Sequence, residues 1–415
     1  MITNLTRMWL TRSGQPFLFR REYDKVLPYE TLEGLGLYIH IPFCKSICGF
    51  CPYCKELYQK ERCDAYLEAL LQEIRMVGEQ NQGRKKVTSL YFGGGTPSLI
   101  ADRLPEILET VEAYFEITDG IGLELHPDTV TVPILRQLKE SGVTKISIGI
   151  QSFQEKYQEV LGRRKIEVEA MAQALAEVPF ETVSVDFIFA LPGQTAEDLK
   201  RDISTAFANG ANHIAIYPFI DFTFTESRLP KMGKGQKRRL LDEITDFCLA
   251  EGCRRESIWT FSKGENTGYS SMTRENFLGF GCSATTLLRE QFKINTFSVE
   301  EYCKRIHEGE LPTALTLRFT LRQRMVYYLF WTAYSTQVTE KGFADFFGVP
   351  LKKMYGGELW LAKKLGFVTE QDGIYSMTKK GAFYYHYYEN FYTLAYIDRM
   401  WGILRQQAFP EKIEL

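Results

Sequence analysis

The chain has 415 residues, 45% of them hydrophobic, and a formal net charge of −2. That is enough apolar material for two or three domains, or for one large α/β barrel with an appendage. The near-neutral charge argues against a nucleic-acid binder, no long apolar run offers a membrane span, and the amino terminus lacks a secretory apolar stretch; the expectation is a cytoplasmic protein that binds neither nucleic acid nor membrane.

Residues 1–36 read as an N-terminal extension. The first strand candidate, "LYIHI" (37–41), runs into a cysteine-rich loop, "FCKSICGFCPYC" (43–54). A helical stretch over about 62–79 precedes "VTSLYF" (87–92) and the glycine run Gly93, Gly94, Gly95, followed by Thr96 and Pro97. A helix over about 102–115 leads to "GLELH" (122–126), which carries Glu124. The next helix, about 131–141, has Pro133 where a first turn tolerates it. Then come "KISIGI" (145–150) with Gln151, a helix over about 166–177, and "TVSVDFIF" (182–189) with Asp186. Thr195 reads as the N-cap of a helix over about 195–208, before "HIAIYPF" (213–219). Strands alternating with helices mean βα units and a parallel sheet. Each strand ends in a polar or glycine-rich feature, and ligands of such sheets sit at the carboxyl ends of the strands. The fold class is therefore α/β, with six units that suit a partial (β/α)6 barrel (37–235) or an open doubly wound sheet. From about 236 the pattern reads as mainly helical, a linking region to 319. Residues 320–415 read as a helical, winged-helix-like module, with "KKLGFVTEQDGIYSMTKKG" as the wing.

Nine cysteines in such a chain are not expected to pair as disulfides. Cys44, Cys48, Cys51 and Cys54 lie within eleven positions. Three chemistries fit that spacing: a four-thiolate zinc site, a CxxC redox pair, or an iron–sulfur cluster held by three thiolates, with one iron left open. The other cysteines, Cys63, Cys248, Cys253, Cys282 and Cys303, read as buried small apolar residues.

The stretch "YIHIPFCKSICGFC" (38–51) with "GGGTP" (93–97) resembles the radical S-adenosylmethionine (SAM) superfamily, and within it the oxygen-independent coproporphyrinogen III oxidase-like family. "ISIGIQSF" (146–153), "LGR" (161–163), "VDFIFALPGQT" (185–195) and "FLGFGCSAT" (277–285) extend the resemblance, which spans about 38–380. It implies a [4Fe–4S] cluster on Cys44, Cys48 and Cys51, with Cys54 outside the coordination sphere. The open iron would chelate SAM and cleave it to a 5′-deoxyadenosyl radical. By the same resemblance Tyr38 and Phe50 line the cluster and the first SAM, and Tyr38 and Glu124 act at the reacting centre. Gly93, Gly94 and Gly95 let the backbone approach the methionyl amino group, Glu124 binds the same SAM, Gly95 and Thr96 lie at the seam between two cofactor positions, and Phe219 and Ile220 pack near the adenine. Gln151, Arg163 and Asp186 match positions that hold a second SAM. An electron donor such as flavodoxin or ferredoxin is implied, and a small, flat aromatic or tetrapyrrole substrate.

Four departures bear on substrate: Lys165 in place of a histidine, Lys145 in place of an arginine, His126 in place of an asparagine, and the "PYC" extension ending in Cys54. Three functions follow from the resemblance. One is a two-SAM enzyme that transfers a methyl group or modifies a tetrapyrrole. Another is an oxidative decarboxylase of coproporphyrinogen III, with "RLPKMGKGQKRR" (228–239) as a source of cations. The third is a haem-trafficking chaperone, for which the five histidines form no evident haem box. "FYYHYYENFYTLAY" (383–396) reads as a helix packed on both sides or as an aromatic lid.

Overall fold

The computed structural model describes residues 2–22, 25–264 and 275–415. Six strands, β1 (Leu35–Ile41), β2 (Leu90–Gly94), β3 (Ile121–Leu125), β4 (Lys145–Gln151), β5 (Thr182–Phe189) and β6 (His213–Pro218), lie side by side in chain order. Every neighbouring pair is parallel. The crossovers carry α1 (Lys60–Gly78), α2 (Leu104–Tyr114), α3 (Val132–Glu140), α4 (Val168–Glu177) and α5 (Ala196–Ala208). Right-handed crossovers that always add the next strand on the same side put all helices on one face, and the sheet curls around the other. The two ends of the strand row do not pair with each other, so the expected partial six-stranded barrel is the fold.

The local signals behave as their chemistry dictates. Thr195 Oγ1 accepts from Asp198 N at 3.2 Å while Asp198 Oδ2 accepts from Thr195 N at 3.1 Å, a reciprocal cap on α5. Pro133 sits in the first turn of α3. The β-branched residues of β4 and β5, such as Ile146, Ile148, Val183 and Val185, are buried. Tyr38, Glu124 and Asp186 each interrupt a buried run as a half-buried position on β1, β3 and β5.

The sheet continues past both ends of the barrel. Beside β1 runs a seventh parallel strand, β7 (Asn276–Phe280), followed outward by Thr285–Leu287, Gln291–Asn295, Thr313–Arg318, Leu18–Arg20 and Lys412–Glu414. Beside β6 lie Thr260–Ser262 and Arg254–Arg255, both antiparallel. The helical reading of 236–319 is thus corrected: helices Lys234–Ala250 and Val299–His307 alternate there with six strands, residues 265–274 lying outside the described ones. These strands are short and several are buried along their whole length, so they show none of the alternation that marks a half-buried strand. The N-terminal extension is likewise part of the sheet, since Leu18–Arg20 pairs with strands on both sides.

The C-terminal region runs helix Leu321–Tyr334, strand Gln337–Thr339, helices Glu340–Phe347 and Leu351–Lys364, hairpin Val368–Gln371 and Ile374–Met377, then α6 (Lys379–Tyr392) and α7 (Asp398–Gln406). The order helix, strand, two helices, hairpin is that of a winged helix, and the three strands form one small sheet. Asp372 (φ 51°) and Gly373 (φ 76°) make the two-residue turn of the wing, a sequence suited to left-handed backbone. The aromatic helix α6 packs on both sides. His386 accepts from Trp259 Nε1 at 3.2 Å, Lys234 sits 3.7 Å from the Tyr387 ring centre, and Tyr392 meets Phe330 at 4.9 Å.

Candidate functional site

The cysteine loop leaves the carboxyl end of β1 and is clamped from several sides. Phe43–Cys44 pairs with Glu56–Leu57. Gly95 N donates to Ile41 O and Thr96 N to Phe43 O, both at 2.8 Å, and Thr96 Oγ1 reaches Cys44 Sγ at 3.5 Å. Gly49 O accepts from Glu226 N and Ser227 N at 3.1 and 3.2 Å. The glycine run makes the clamp possible: a Cβ on Gly95 would lie 2.7 Å from Phe43 O, and one on Gly94 (φ +119°) would lie 2.6 Å from the His40 ring.

Cys44, Cys48 and Cys51 are free and partly accessible. Burial pushes the Cys44 thiol up to about 11 and raises that of Cys48, against which the nearby Arg163 guanidinium acts. Three thiolates here need a cationic partner, and a ring of three thiols on a tight loop is a donor set for iron.

The inner wall supplies carboxylates. Glu124 accepts from Gly94 N at 3.0 Å and from Tyr91 Oη at 3.2 Å. Burial raises its carboxyl above the ordinary range. Ser147 Oγ lies 3.0 Å from both oxygens of Asp186. Burial, then the charge of Glu124, pushes Asp186 up to about 7. Tyr38 stacks on Tyr91 at 6.4 Å, and its hydroxyl meets His40 Nδ1 at 3.1 Å. The pairing of β4 with β5 slips at Asp186, so that Gly149 faces Asp186 and Gln151 faces Phe187. Gln151 holds φ 72°, a strained backbone for a side chain of its size. Arg163 donates to Gly149 O, which gathers Gln151, Arg163 and Asp186 around one residue. Phe50 packs on the apolar group that contains Phe219, Tyr157 and Leu191. Ile220, half-buried, follows Phe219 in the loop after β6.

α7 covers this mouth. Trp401 meets Tyr53 of the cysteine loop at 6.0 Å and stacks on Phe222 of the loop after β6 at 6.2 Å. Arg405 donates to Pro52 O, and Asp398 accepts from Thr223 N at 2.7 Å.

A parallel partial barrel with thiols, carboxylates and a glycine run at one end of its strands has the donor groups to hold a cofactor at that end. The radical SAM superfamily model matches residues 38–206. The chain is 28% identical over 362 residues to the haem chaperone HemW of Bacillus subtilis, covering 83% of this chain and 95% of that one. It is 27% identical to the oxygen-independent coproporphyrinogen III oxidase of Cereibacter sphaeroides, covering 67% and 68%. The coproporphyrinogen III oxidase HemN from Escherichia coli, described as a radical SAM enzyme, has the same fold: TM-score 0.74 at 21% identity, over 90% of this chain and 93% of that one. Residues 38–206 thus match the radical SAM superfamily, and over two thirds or more of its length the chain is similar to HemN-type oxidases and HemW-type chaperones. That family implies a [4Fe–4S] cluster and SAM.

Several neighbours escaped the sequence reading. Tyr91 and Ser147, the partners of Glu124 and Asp186, sit on strands already recognised, but their sequence signal is no stronger than that of any strand residue. Trp401 and Arg405 lie far along the chain and meet the cysteine loop only through the fold. Two departures lie off the inner wall. Lys145 donates to Asp119 O at 3.1 Å at the amino end of β4, and Lys165 is exposed. His126 Nδ1 accepts from Asp128 N at 3.2 Å as a local cap, and burial lowers its pKa to about 4. Cys54 turns away from the other three cysteines into the core.

Proposed function

We propose that Cys44, Cys48 and Cys51 ligate the cluster and that the enzyme modifies a tetrapyrrole by SAM-derived radical chemistry. The observation that carries this reading is the convergence of the cysteine loop, Glu124 and Asp186 at one end of the barrel. Bound there, cluster and SAM would supply one-electron cleavage of SAM and a carbon radical able to take hydrogen from substrate. The chain's own residues hold and shield. Glu124, fixed by Gly94 and Tyr91, offers charge to the cationic part of SAM. Phe50, Phe219 and Ile220 offer an apolar seat for the adenine. Gln151, Arg163 and Asp186 offer a place for a second SAM. α7 covers part of the mouth through Trp401 and Arg405.

Tetrapyrrole substrates are supported by the names of the curated relatives, haem chaperone and coproporphyrinogen oxidase. Decarboxylation of a substrate with four carboxylates would call for converging cations. In the 228–239 stretch, Arg228 and Lys231 lie 3.8 and 3.7 Å from Asp221, while Lys234 and Arg238 rest on aromatic rings of α6. That arrangement favours modification over decarboxylation. The chaperone reading stands second, favoured by the near-complete overlap with HemW.

One experiment separates them. Protein is purified without oxygen, reconstituted, reduced by flavodoxin or dithionite, and given SAM with haem or coproporphyrinogen III. 5′-Deoxyadenosine with an altered tetrapyrrole supports modification, and S-adenosylhomocysteine beside it adds methyl transfer from a second SAM. Carbon dioxide selects decarboxylation. Haem bound without any 5′-deoxyadenosine selects the chaperone.

A further inference from the structure

Among the described residues one group of ligating atoms crowds together, and it lies outside the proposed cluster. A ring nitrogen of His40, Cys54 Sγ and Cys282 Sγ all fall within 4.8 Å of one another, and all three residues are buried. The two sulfurs are 3.9 Å apart. A tetrahedral zinc with Zn–S bonds of about 2.3 Å sets its thiolates about 3.8 Å from each other. A disulfide needs about 2.05 Å, and would leave His40 without a part.

The positions are built. Cys282 sits in a tight turn between Gly281 (φ 96°) and Ser283 (φ 56°). Two side chains of α1 pin that turn: Glu73 accepts from Gly281 N at 2.7 Å, and Tyr66 Oη accepts from Cys282 N at 3.0 Å. Glu73 is itself held by Tyr302 Oη at 2.6 Å and Asn295 Nδ2 at 3.2 Å. On the other side, His40 Nε2 donates to Cys54 O at 3.0 Å, and Cys54 Sγ donates to Phe297 O at 3.1 Å. His40 Nδ1 meets Tyr38 Oη at 3.1 Å, which is the outer hydrogen bond that orients a metal-ligating imidazole.

We propose that His40, Cys54 and Cys282 bind a second metal ion, a zinc ion, in a sealed site behind the cluster loop. On binding, each cysteine gives up its thiol proton, Cys54 Sγ releasing Phe297 O, and His40 exchanges the Nε2 hydrogen bond to Cys54 O for the metal, its one proton moving to Nδ1 toward Tyr38. Three protein ligands leave a fourth position for a small ligand. The ion would staple the end of the cysteine loop to the turn after β7. It would also fix His40, whose other nitrogen touches the tyrosine that faces the cofactor chamber.

The test is a metal count on the whole chain, produced with zinc in the medium and purified without oxygen or chelators. The wild type should hold about one zinc per chain beside its cluster iron. Cys44→Ala should lose iron and keep zinc; Cys282→Ala should lose zinc and keep iron. If Cys282→Ala does not fold, the zinc-edge X-ray absorption spectrum of the wild type decides alone, with two sulfurs and one nitrogen expected. No zinc in the wild type, zinc that leaves with the Cys44→Ala substitution, or a Cys54–Cys282 disulfide seen by mass spectrometry overturns the proposal. Iron and zinc are counted separately, so its failure leaves the cluster assignment standing.

Discussion

Cys51 and Cys54 are three residues apart in the chain and belong to different environments. Cys44, Cys48 and Cys51 stand partly open at the barrel mouth, whereas Cys54 is 4% exposed and faces Cys282, 228 positions away. The boundary between them has a physical origin. Arg405 of α7 takes Pro52 O, Trp401 holds the Tyr53 ring, and His40 takes Cys54 O, so the chain turns inward between Tyr53 and Cys54. Close spacing in sequence therefore conceals two groups, an open one proposed to hold the cluster and a buried one proposed to hold a single ion.

The largest effect that would sharpen this contrast comes from Cys44→Ala, Cys48→Ala or Cys51→Ala. Each should abolish the visible cluster absorbance and SAM cleavage, with the fold retained by circular dichroism. Full cluster content in any of the three would break the division.

Next, Glu124→Gln removes a charged hydrogen-bond partner from the inner wall. SAM affinity, read by equilibrium dialysis, should fall about 10- to 100-fold, the range for a hydrogen bond to a charged group. Cluster absorbance should not change.

Asp186 provides a pH signature. Burial and the charge of Glu124 keep its proton in the folded chain up to about pH 7, while an unfolded aspartate loses it near pH 4. Between those values the unfolded chain binds fewer protons, so this group's contribution to stability declines as pH rises and is lost above about 7. In SAM-free protein, the Tm of Asp186→Asn relative to wild type should be higher at pH 8 than at pH 5. A difference independent of pH would mean that Asp186 is paired with a cation.

Trp401→Ala tests the cover over the loop. The loss of its contacts with Tyr53 and Phe222 should cost about 1–3 kcal/mol in urea unfolding. The smallest effect on the cluster is expected from Cys54→Ala, which should keep the full four-iron spectrum.

The barrel was legible because βα units advertise themselves. Apolar strand runs, the Thr195 cap and Pro133 place elements to within a few residues, and each strand's carboxyl end can be read for chemistry. The flanking strands were not legible. Thr260–Ser262 and Asn276–Phe280 are short and buried throughout, with no periodic signal, and Leu18–Arg20 joins the sheet only through partners near the far end of the chain. Cys282 escaped for the same reason. Its closeness to Cys54 follows from the pairing of β7 with β1, which no local pattern announces.

The proposed role of the Cys44, Cys48 and Cys51 loop is to hold a cluster whose open iron takes SAM. The most direct measurement is the electron paramagnetic resonance spectrum of the reduced, reconstituted protein with and without SAM, alongside Cys54→Ala. A [4Fe–4S]+ signal that shifts on addition of SAM is expected in both proteins. A signal indifferent to SAM, or one that is lost in Cys54→Ala, would contradict it.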